Sequence, residues 1–300
     1  ELRRIGKIIP YGKHFVDNED IRSVCLTLRS NNLTQGPKIP EFEERIAAYV
    51  GAKYAVATNS GTSALHISLL LADVGQDDEV ITQPLTFVAT CNVISYCGAK
   101  PIFIDVDKDT MGLSPSTLKD FFGENTTVKN QKCINNKTGK IIKACLPMHT
   151  YGHPCNLEGL LAVAHDYRLT LVEDAAESLG SHYQGQHTGT FGLLGTLSFN
   201  GNKIITTGGG GAVLTNDERL ADHAKHLTTT AKLPHSWDYV HDEVGYNFRM
   251  PNLNAAVGYA QMEQLLEKLR RKRKLAELYS EAFQNSLFFD FVHAPRDSDS

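Results

Sequence analysis

The sequence predicts an α/β protein built on a mainly parallel β-sheet. Between residues 54 and 215, short apolar runs alternate with stretches in which apolar residues recur at helical spacing. The composition, 41% hydrophobic and 21% charged, is that of an ordinary globular chain. With 300 residues, the chain is long enough for one large core, or for one large domain and part of another.

Two amphipathic helices are predicted ahead of the alternating region. The first spans residues 17–30, with Asp17 as its N-cap, and the second spans 39–50 and ends at Gly51. The predicted strands are 54–58, 79–83, 101–105, 141–148, 169–173, 197–199 and 212–215, and the helices between them are 62–71, 86–96, 114–122 and 157–167. Ligands of such sheets bind beyond the carboxyl ends of the strands, so the residues that follow each strand are the candidates for a site.

Two further segments have no predicted functional role. The polar, lysine-rich segment 125–140 is predicted to be a surface excursion. Residues 252–283 are predicted to form one long helix. Its basic run at 270–274 lies among glutamates, which is typical of a solvated helix face rather than of a nucleic-acid site.

Composition also argues against several classes of protein. The net charge of −4 is unlike that of a nucleic-acid binder, and no apolar run approaches the length of a membrane span. The first residues do not form a secretory signal, and the six cysteines form no CxxC pair. We therefore expect a cytoplasmic protein with reduced thiols. The chain lacks an initiator methionine, and we expect both of its ends to be trimmed.

Lys203 is the residue on which the functional hypothesis is built. It follows the predicted strand 197–199 after a polar break, and four glycines, 208–211, come soon after it. We interpret Lys203 as an amine that forms an imine with a carbonyl cofactor. The alternative is a surface lysine beside a flexible turn.

Two carboxylates, Glu173 and Asp174, stand at the end of the predicted strand 169–173. A carboxylate at the end of a buried strand is costly unless it is paired, so Asp174 calls for a cationic partner. The alternative is that Asp174 or Glu173 caps the next helix.

Two other strand ends offer groups for a phosphate and a ring. Thr62 and Ser63 open a helix, where N–H groups and hydroxyls favour a phosphate, although capping by Ser60 or Thr62 is the simpler alternative. Phe87 is either a platform for an aromatic ring or a core residue.

A metal site is not predicted. His149 and His153 are spaced i and i+4, with Cys155 nearby, as zinc ligands can be. Gly152 and Pro154 argue that the two histidines do not share one helix face, and no third ligand is in evidence. His223 and His226 are predicted to lie on the surface. The glycine run lacks dinucleotide-binding spacing, so we interpret it as backbone that gives way to a bulky group.

Together these residues match one cofactor, pyridoxal 5′-phosphate. It needs a lysine for its aldehyde, an acid for its ring nitrogen, a phosphate cup and a platform for its ring. The candidates, in that order, are Lys203, Asp174, Thr62 and Ser63 with Ser198, and Phe87.

The motifs also resemble those of a known family. An ordered set of motifs resembles the DegT/DnrJ/EryC1/StrS nucleotide-sugar aminotransferases: 59–65 (NSGTSAL), 84–87 (PLTF), 173–176 (EDAA), 198–203 (SFNGNK), 208–211 (GGGG) and 245–249 (GYNFR). The resemblance runs from about residue 34 to the C-terminal helix. The sequences of residues 84–92 and 146–154 most resemble the LegC-like branch of the family. Enzymes of that branch act on UDP-4-keto-6-deoxy-N-acetylhexosamines in the biosynthesis of legionaminic acid or bacillosamine-type sugars.

The resemblance implies a fold-type I transferase, with a mostly parallel mixed sheet between layers of helices. It implies a homodimer with a shared active site, a large domain over residues 1–250, and a linking helix with the start of a truncated small domain over 251–300. It implies that Lys203 forms the imine with the cofactor, that Asp174 binds the pyridinium nitrogen and that Phe87 stacks on the ring. The phosphate would be bound by Thr62, Ser63 and Ser198. Asn247 would reach the phosphate in the neighbouring subunit, and Arg249 would bind substrate near that pocket. Glu177 occupies a cofactor-binding position that is often Gln or His in the family.

The implied reaction is a two-stage transamination, with glutamate as amino donor and a 4-keto sugar as acceptor, in which Lys203 also moves a proton. One alternative is a sugar dehydratase of the same fold, but those relatives replace the lysine with histidine. A non-catalytic binding module would not need Lys203 and Asp174 together. A Rossmann dehydrogenase would need a dinucleotide fingerprint that is absent.

Overall fold

A computed structural model of the protein describes residues 15–286 and 298–299. Its α-helices are α1 (Asn18–Arg29), α2 (Lys38–Val50), α3 (Gly61–Leu71), α4 (Val88–Tyr96), α5 (Pro115–Asn125), α6 (Leu157–Asp166), α7 (Glu218–Thr228), α8 (Asn252–Glu263) and α9 (Leu265–Phe283). The strands are β1 (Tyr54–Thr58), β2 (Glu79–Thr82), β3 (Lys100–Phe103), β4 (Thr126–Lys129), β5 (Lys132–Asn135), β6 (Ile141–Cys145), β7 (Thr170–Asp174), β8 (His182–Tyr183), β9 (Gln186–His187), β10 (Leu194–Ser198), β11 (Gly211–Thr215) and β12 (Ser298–Asp299).

The first two helices begin and end where the sequence predicts. The Asp17 side chain accepts hydrogen bonds from the backbone N–H groups of residues 19 and 20, and the Asp20 carboxylate accepts one from the backbone N–H of Asp17, which completes a capping box. Gly51 ends α2 in the left-handed conformation that glycine adopts without strain (φ 77°).

The main sheet is mixed and carries nine strands. Its central path runs β1-β11-β10-β7-β6-β2-β3. Neighbours pair in parallel from β10 to β3, whereas β11 is antiparallel to both β1 and β10. Six strands of this path therefore end at the same edge of the sheet, which confirms the predicted fold class.

The segment 125–140 is more than a surface excursion. It forms the antiparallel hairpin β4–β5, and β5 pairs with the start of β6. Asn135, at the end of β5, donates to the buried Glu79 side chain of β2 (2.8 Å). The prediction missed this hairpin because most of its side chains are polar and exposed.

The strand β3 forms one edge of the sheet among the described residues. The backbone N–H groups of Lys100 and Ile104 donate toward β2. Because successive N–H groups of a strand point to opposite sides, the nitrogen of Pro101 lies on the outer side. Proline has no N–H to leave unpaired there.

Helices cover both faces of the sheet. On one face, α3, α4 and α7 pack residues such as Ile67, Val93 and Leu227 against the sheet. On the other face, α2 and α8 cover the β1–β11–β10 half, and α5 and α6 cover the half that contains β6 and β7. This layering holds the strand ends rigidly in place.

The long C-terminal helix is kinked and divides into two. The predicted helix over 252–283 is interrupted at Gln264, whose N–H bonds the carbonyl of Gln261, three residues back, and α9 begins after it. The helix α8 packs against α1 and α2, and Gly258 lies directly against the ring of Phe42. In the described part of the chain, no helix is both long and apolar enough to cross a membrane.

Candidate active site

The predicted site residues lie on the loops at the shared carboxyl edge of the sheet. Asp174 ends β7, Ser198 ends the neighbouring β10, and Phe87 follows β2. Thr62 and Ser63 lie in the first turn of α3, which follows β1. Parallel strand direction therefore gathers residues that are distant in sequence.

Asp174 is a buried carboxylate whose contacts in the described chain are neutral donors. Its Oδ2 accepts from the hydroxyl of Thr90 (2.8 Å), and its Oδ1 accepts from the backbone N–H of Ala176 (3.1 Å). Burial raises the pKa of this carboxyl, while the two hydrogen bonds and the charge of Lys203 act in the opposite direction. Thr90 was not predicted as a site residue. It lies one helical turn after Phe87, and its role depends on the place of α4 in the fold, which brings the Thr90 hydroxyl to the end of β7.

Lys203 is partly buried and paired. Its Nζ lies 2.9 Å from Oε1 of Glu177, and both side chains are largely shielded from solvent. A turn closed by the hydrogen bond from Lys203 N–H to the carbonyl of Asn200 (3.0 Å) positions the lysine. The exposed-lysine alternative is therefore wrong, and Glu177 is in direct contact with the predicted reactive amine.

The start of α3 meets the end of β10. Ser60 caps the helix by accepting from the N–H of Ser63 (3.0 Å), so the capping interpretation holds for Ser60. A Cβ atom on Gly61 would lie 3.0 Å from the hydroxyl of Ser198, which places that hydroxyl directly beside the helix start. With Thr62 half-buried on the same turn, the helix dipole, N–H groups and hydroxyls converge on a place suited to an anion.

Phe87 stands in solvent, with 65% of its surface exposed. Its backbone N–H faces the sulfur of Met148 (3.3 Å). The backbone of Met148 pairs with that of Asp174 in an isolated parallel β-bridge. The core alternative for Phe87 is therefore wrong, and a ring held near Asp174 is available to stack on a ligand.

Asn247 and Arg249 run alongside the start of α3. The backbone of Asn59 donates to the carbonyl of Phe248 (2.8 Å), and the Asn59 side chain donates to the carbonyl of Asn247 (3.2 Å). The Asn247 side chain is exposed, and its contact with a neighbouring subunit stays a prediction. Arg249 lines a cavity of about 250 Å³ together with Gln35 and Lys225.

Glu173 has a role that sequence reasoning missed. It caps no helix. Its carboxylate is fully buried and accepts from the backbone N–H groups of Gly189, Phe191 and Gly192 at 2.7–2.8 Å. It also lies 3.1 Å from Nε2 of His149. The sequence did show a second carboxylate on a buried strand, and a buried carboxylate requires hydrogen-bond donors. The sequence could not locate these donors, because they lie on a later loop.

The histidines singled out in the sequence are engaged by protein groups. The ring of His149 is fully buried, and its Nδ1 accepts from the N–H of Cys155 (3.2 Å), so Nε2 carries the proton that faces Glu173. On the surface, His226 pairs with Asp242 (2.6 Å) and His223 pairs with Glu243 (2.9 Å).

The glycine run approaches protein backbone. A Cβ atom on Gly211 would lie 2.6 Å from backbone atoms of Ser60 and Gly61, and one on Gly210 would strike Thr207 and Met250. The close approach that the glycines predicted is therefore confirmed, but at these two positions the neighbour is the chain itself. The idea that they give way to a bulky cofactor is wrong there, because β11 must pass the start of α3.

The residues fit pyridoxal phosphate. Asp174 is a desolvated carboxylate that lacks a directly bonded cation in the described chain, and a protonated ring nitrogen would supply one. Lys203 offers an amine at the same edge, and the start of α3 with Ser198 offers a cup for a phosphate. The geometry thus brings together the groups that this cofactor needs.

Comparisons with known proteins agree with this assignment. The model of the DegT/DnrJ/EryC1/StrS aminotransferase family matches residues 15–300. GDP-perosamine synthase of Escherichia coli O157:H7 is 42% identical over 246 residues, which cover 82% of this chain and 63% of that protein. The spore coat polysaccharide biosynthesis protein SpsC of Bacillus subtilis is 36% identical over 97% of this chain and 74% of its own length. The chain thus spans less than two thirds of the E. coli relative.

Solved structures show the same fold. PseC of Helicobacter pylori, an aminotransferase involved in the biosynthesis of pseudoaminic acid, superimposes with a TM-score of 0.83 at 28% identity, over 94% of this chain and 72% of its own. The PLP-form of Spr1654 from Streptococcus pneumoniae gives a TM-score of 0.82 at 27% identity, over 93% of this chain and 72% of its own.

Proposed function

This chain belongs to the DegT/DnrJ/EryC1/StrS aminotransferase family, and we propose that it transfers an amino group from an amino acid to a nucleotide-linked 4-keto sugar. The family is one of sugar aminotransferases that take pyridoxal phosphate as cofactor. The observation that carries the proposal is the placement of a half-buried lysine, Lys203, at the same sheet edge as the desolvated carboxylate of Asp174.

Each residue has a role that follows from its contacts. When bound, pyridoxal phosphate supplies a carbonyl that joins amines and a ring that accepts electrons. Asp174 holds the proton on the ring nitrogen, because its buried charge is most stable beside a positive partner. Thr90 and Ala176 fix the two carboxylate oxygens, so that Asp174 cannot turn away.

Lys203 has two tasks in this proposal. Its Nζ is the amine that would hold the carbonyl of the cofactor, and the same amine would take up the proton that leaves the α-carbon of the donor. Glu177 holds Nζ at 2.9 Å, which keeps the freed amine inside the site. The hydroxyl of Ser198, with Thr62 and Ser63 at the start of α3, binds the phosphate, and Phe87 covers the ring.

The acceptor that we propose is a UDP-linked 4-keto-6-deoxy-N-acetylhexosamine, used to build a surface polysaccharide or a nonulosonic acid. The resemblance of residues 84–92 and 146–154 to the LegC-like branch supports this substrate. A GDP-linked 4-keto-6-deoxyhexose is the second candidate, favoured by the 42% identity with GDP-perosamine synthase. We further propose a homodimer in the cytoplasm, with glutamate as the donor.

One assay separates the two candidate acceptors. The protein, loaded with pyridoxal phosphate, is incubated with glutamate and with UDP- and GDP-linked 4-keto sugars, and the products are weighed by mass spectrometry. We expect the mass of a 4-amino sugar from the UDP series. Amination of the GDP series alone would replace the first candidate by the second, and no amination of either would overturn the proposal.

Lys203→Ala is the most direct test of the assigned lysine. The variant should bind the cofactor without a covalent bond and lose at least about 1,000-fold in amino transfer, because no other group replaces the nucleophile and proton carrier. Borohydride should fix the cofactor on the wild type only. Lys143→Ala, which breaks the pair with the exposed Asp73, is the control and should retain activity. Turnover retained by Lys203→Ala would contradict the assignment.

A further inference from the structure

Tyr151 has a backbone conformation that bulky residues rarely adopt. Its φ of 56° and ψ of 17° lie in the left-handed region, which favours glycine and asparagine. Among the described residues with positive φ other than glycine, Tyr151 is the one aromatic. Such strain persists only where the surrounding structure imposes it, and it collects at binding sites.

Buried neighbours on both sides impose this conformation. Thr150 receives a hydrogen bond from the Gln83 side chain (3.0 Å) and donates one to the carbonyl of Met111 (2.9 Å). Gly152 donates to the carbonyl of His149 (3.0 Å), and a Cβ on Gly152 would lie 2.9 Å from the carbonyl oxygen of Glu177. Because residues 150 and 152 are fixed, residue 151 must bridge them in the strained form.

The side chain of Tyr151 is exposed to solvent. The residue is 73% exposed, so its ring gains little from burial in this chain. Folding stability therefore gives no reason for an aromatic residue here, and asparagine or glycine would satisfy the backbone at lower cost.

The position of Tyr151 links it to the reactive lysine. Gly152, the next residue, packs against the backbone of Glu177, and the Glu177 side chain lies 2.9 Å from Nζ of Lys203. Phe87 is exposed on the loop after β2, the strand beside β6. Two exposed aromatic residues thus lie on neighbouring loops at the carboxyl edge of the sheet.

We propose that Tyr151 forms one wall of the acceptor site and packs its ring against the C–H face of the sugar. This inference rests on the proposed function. The keto carbon of the acceptor must come to Lys203, so the part of the acceptor beside Glu177 is the sugar and not the nucleobase. A rigid, half-polar tyrosine ring suits a sugar, which offers both C–H groups and hydroxyls.

The first arm of the test measures binding without turnover. Calorimetry compares UDP-N-acetylglucosamine with UDP alone, or GDP-mannose with GDP, on the cofactor-loaded wild type and Tyr151→Ala. The variant should bind the nucleotide sugar about 10-fold more weakly, which corresponds to one aromatic contact, and bind the free nucleotide unchanged. An equal loss for both ligands would mean that Tyr151 contacts the nucleotide instead, and no loss for either would overturn the proposal.

The second arm separates the two half-reactions. Glutamate alone changes the absorbance of the bound cofactor, and the keto sugar then reverses the change. We expect Tyr151→Ala to keep the glutamate step within about 2-fold and to lose about 10-fold in the sugar step at low sugar concentration. Equal damage to both steps would show a general disturbance of the site. If glutamate leaves the wild-type spectrum unchanged, the proposed function fails, while the calorimetry still reports on Tyr151.

Two further variants exclude a purely structural role. Tyr151→Asn suits the left-handed backbone, so it should fold at least as stably as the wild type yet bind the sugar about 10-fold more weakly. Tyr96→Ala is the matched control, because Tyr96 is a tyrosine of similar exposure (59%) at the far end of α4, and it should leave sugar affinity unchanged. Wild-type affinity in Tyr151→Asn would overturn the assignment.

Discussion

The buried carboxylate of Asp174 lowers the stability of the cofactor-free fold, although the proposed function requires it. Burial raises the pKa of its carboxyl above the ordinary value, so the folded protein binds more protons than the unfolded chain between the two pKa values. Without the cofactor, this group therefore lowers the stability of the fold as pH rises through that interval. A bound ring cation offsets the loss, which couples cofactor binding to folding.

Replacing Asp174 by Asn tests this coupling. We expect the cofactor-free variant to melt about 1–2 °C higher than the wild type at neutral pH, because a gain of about 1 kcal/mol produces that shift in a chain of 300 residues. The difference should shrink as pH falls and the wild-type carboxyl becomes protonated. Pyridoxal phosphate should stabilise the variant far less than the wild type. Thermal melting with and without cofactor measures both effects, and an unchanged pH profile would contradict the argument.

The sequence predicts residues whose chemistry is local and misses those whose partners are remote. Lys203 and Asp174 each follow a strand within a recognisable run, so the sequence locates both. Thr90 and Tyr151 have no such local signal. Thr90 becomes a site residue only because the fold brings its hydroxyl to Asp174, 84 positions away, and the strain at Tyr151 arises from contacts with residues more than 20 positions away.

At the scale of elements, Glu173 ties β7 to the loop that leads into β10. A single buried carboxylate there satisfies three backbone N–H groups of that loop and faces one imidazole. The loop therefore has a fixed path, and β10, which carries Ser198, pairs with β7 in register.

Glu173→Gln should destabilise the protein by about 3 kcal/mol, because an amide N–H group would face backbone donors inside the core. Urea unfolding measures the loss. Glu267→Gln is the control, since Glu267 forms an exposed ion pair with Arg270, and its effect should stay below about 0.5 kcal/mol. Comparable losses in both variants would rule out the buried network as the cause.

Two helical glycines give a matched test of packing. On α8, a Cβ at Gly258 would lie 2.5 Å from the ring of Phe42, whereas Gly123 on α5 has open space around that position. Gly258→Ala should cost about 1–3 kcal/mol through overpacking. Gly123→Ala should stabilise by about 0.5–1 kcal/mol through helix propensity. Urea unfolding of the two variants measures both changes, and a stabilised Gly258→Ala variant would contradict the close packing of α8 on α2.

Element types were predictable from hydrophobic periodicity, but some boundaries were not. The kink at Gln264 has no local cause in composition, because glutamine and its neighbours are good helix formers. The β4–β5 hairpin lacks an apolar run, since few of its side chains are buried. In both cases, tertiary packing decides the structure.

At the scale of the whole molecule, the shared active site that we propose has a quantitative consequence. If Asn247 serves the cofactor of the neighbouring subunit, Lys203→Ala and Asn247→Ala damage different halves of each site. After subunit exchange, a mixture of the two inactive variants should recover about a quarter of wild-type activity, because half of the dimers carry one intact site. Mixing Lys203→Ala with itself is the control. No recovery would place Asn247 in the site of its own chain.

The edge strand β3 has a consequence for the behaviour of the protein at high concentration. An open strand offers a row of N–H and carbonyl groups to which a second molecule can add a strand, and this is a common route to aggregation. Pro101 removes one outward donor from that row, and the exposed Lys100 adds a charge beside it. Among the described residues, the strand at this edge of the sheet is thus a poor template for the addition of a further strand.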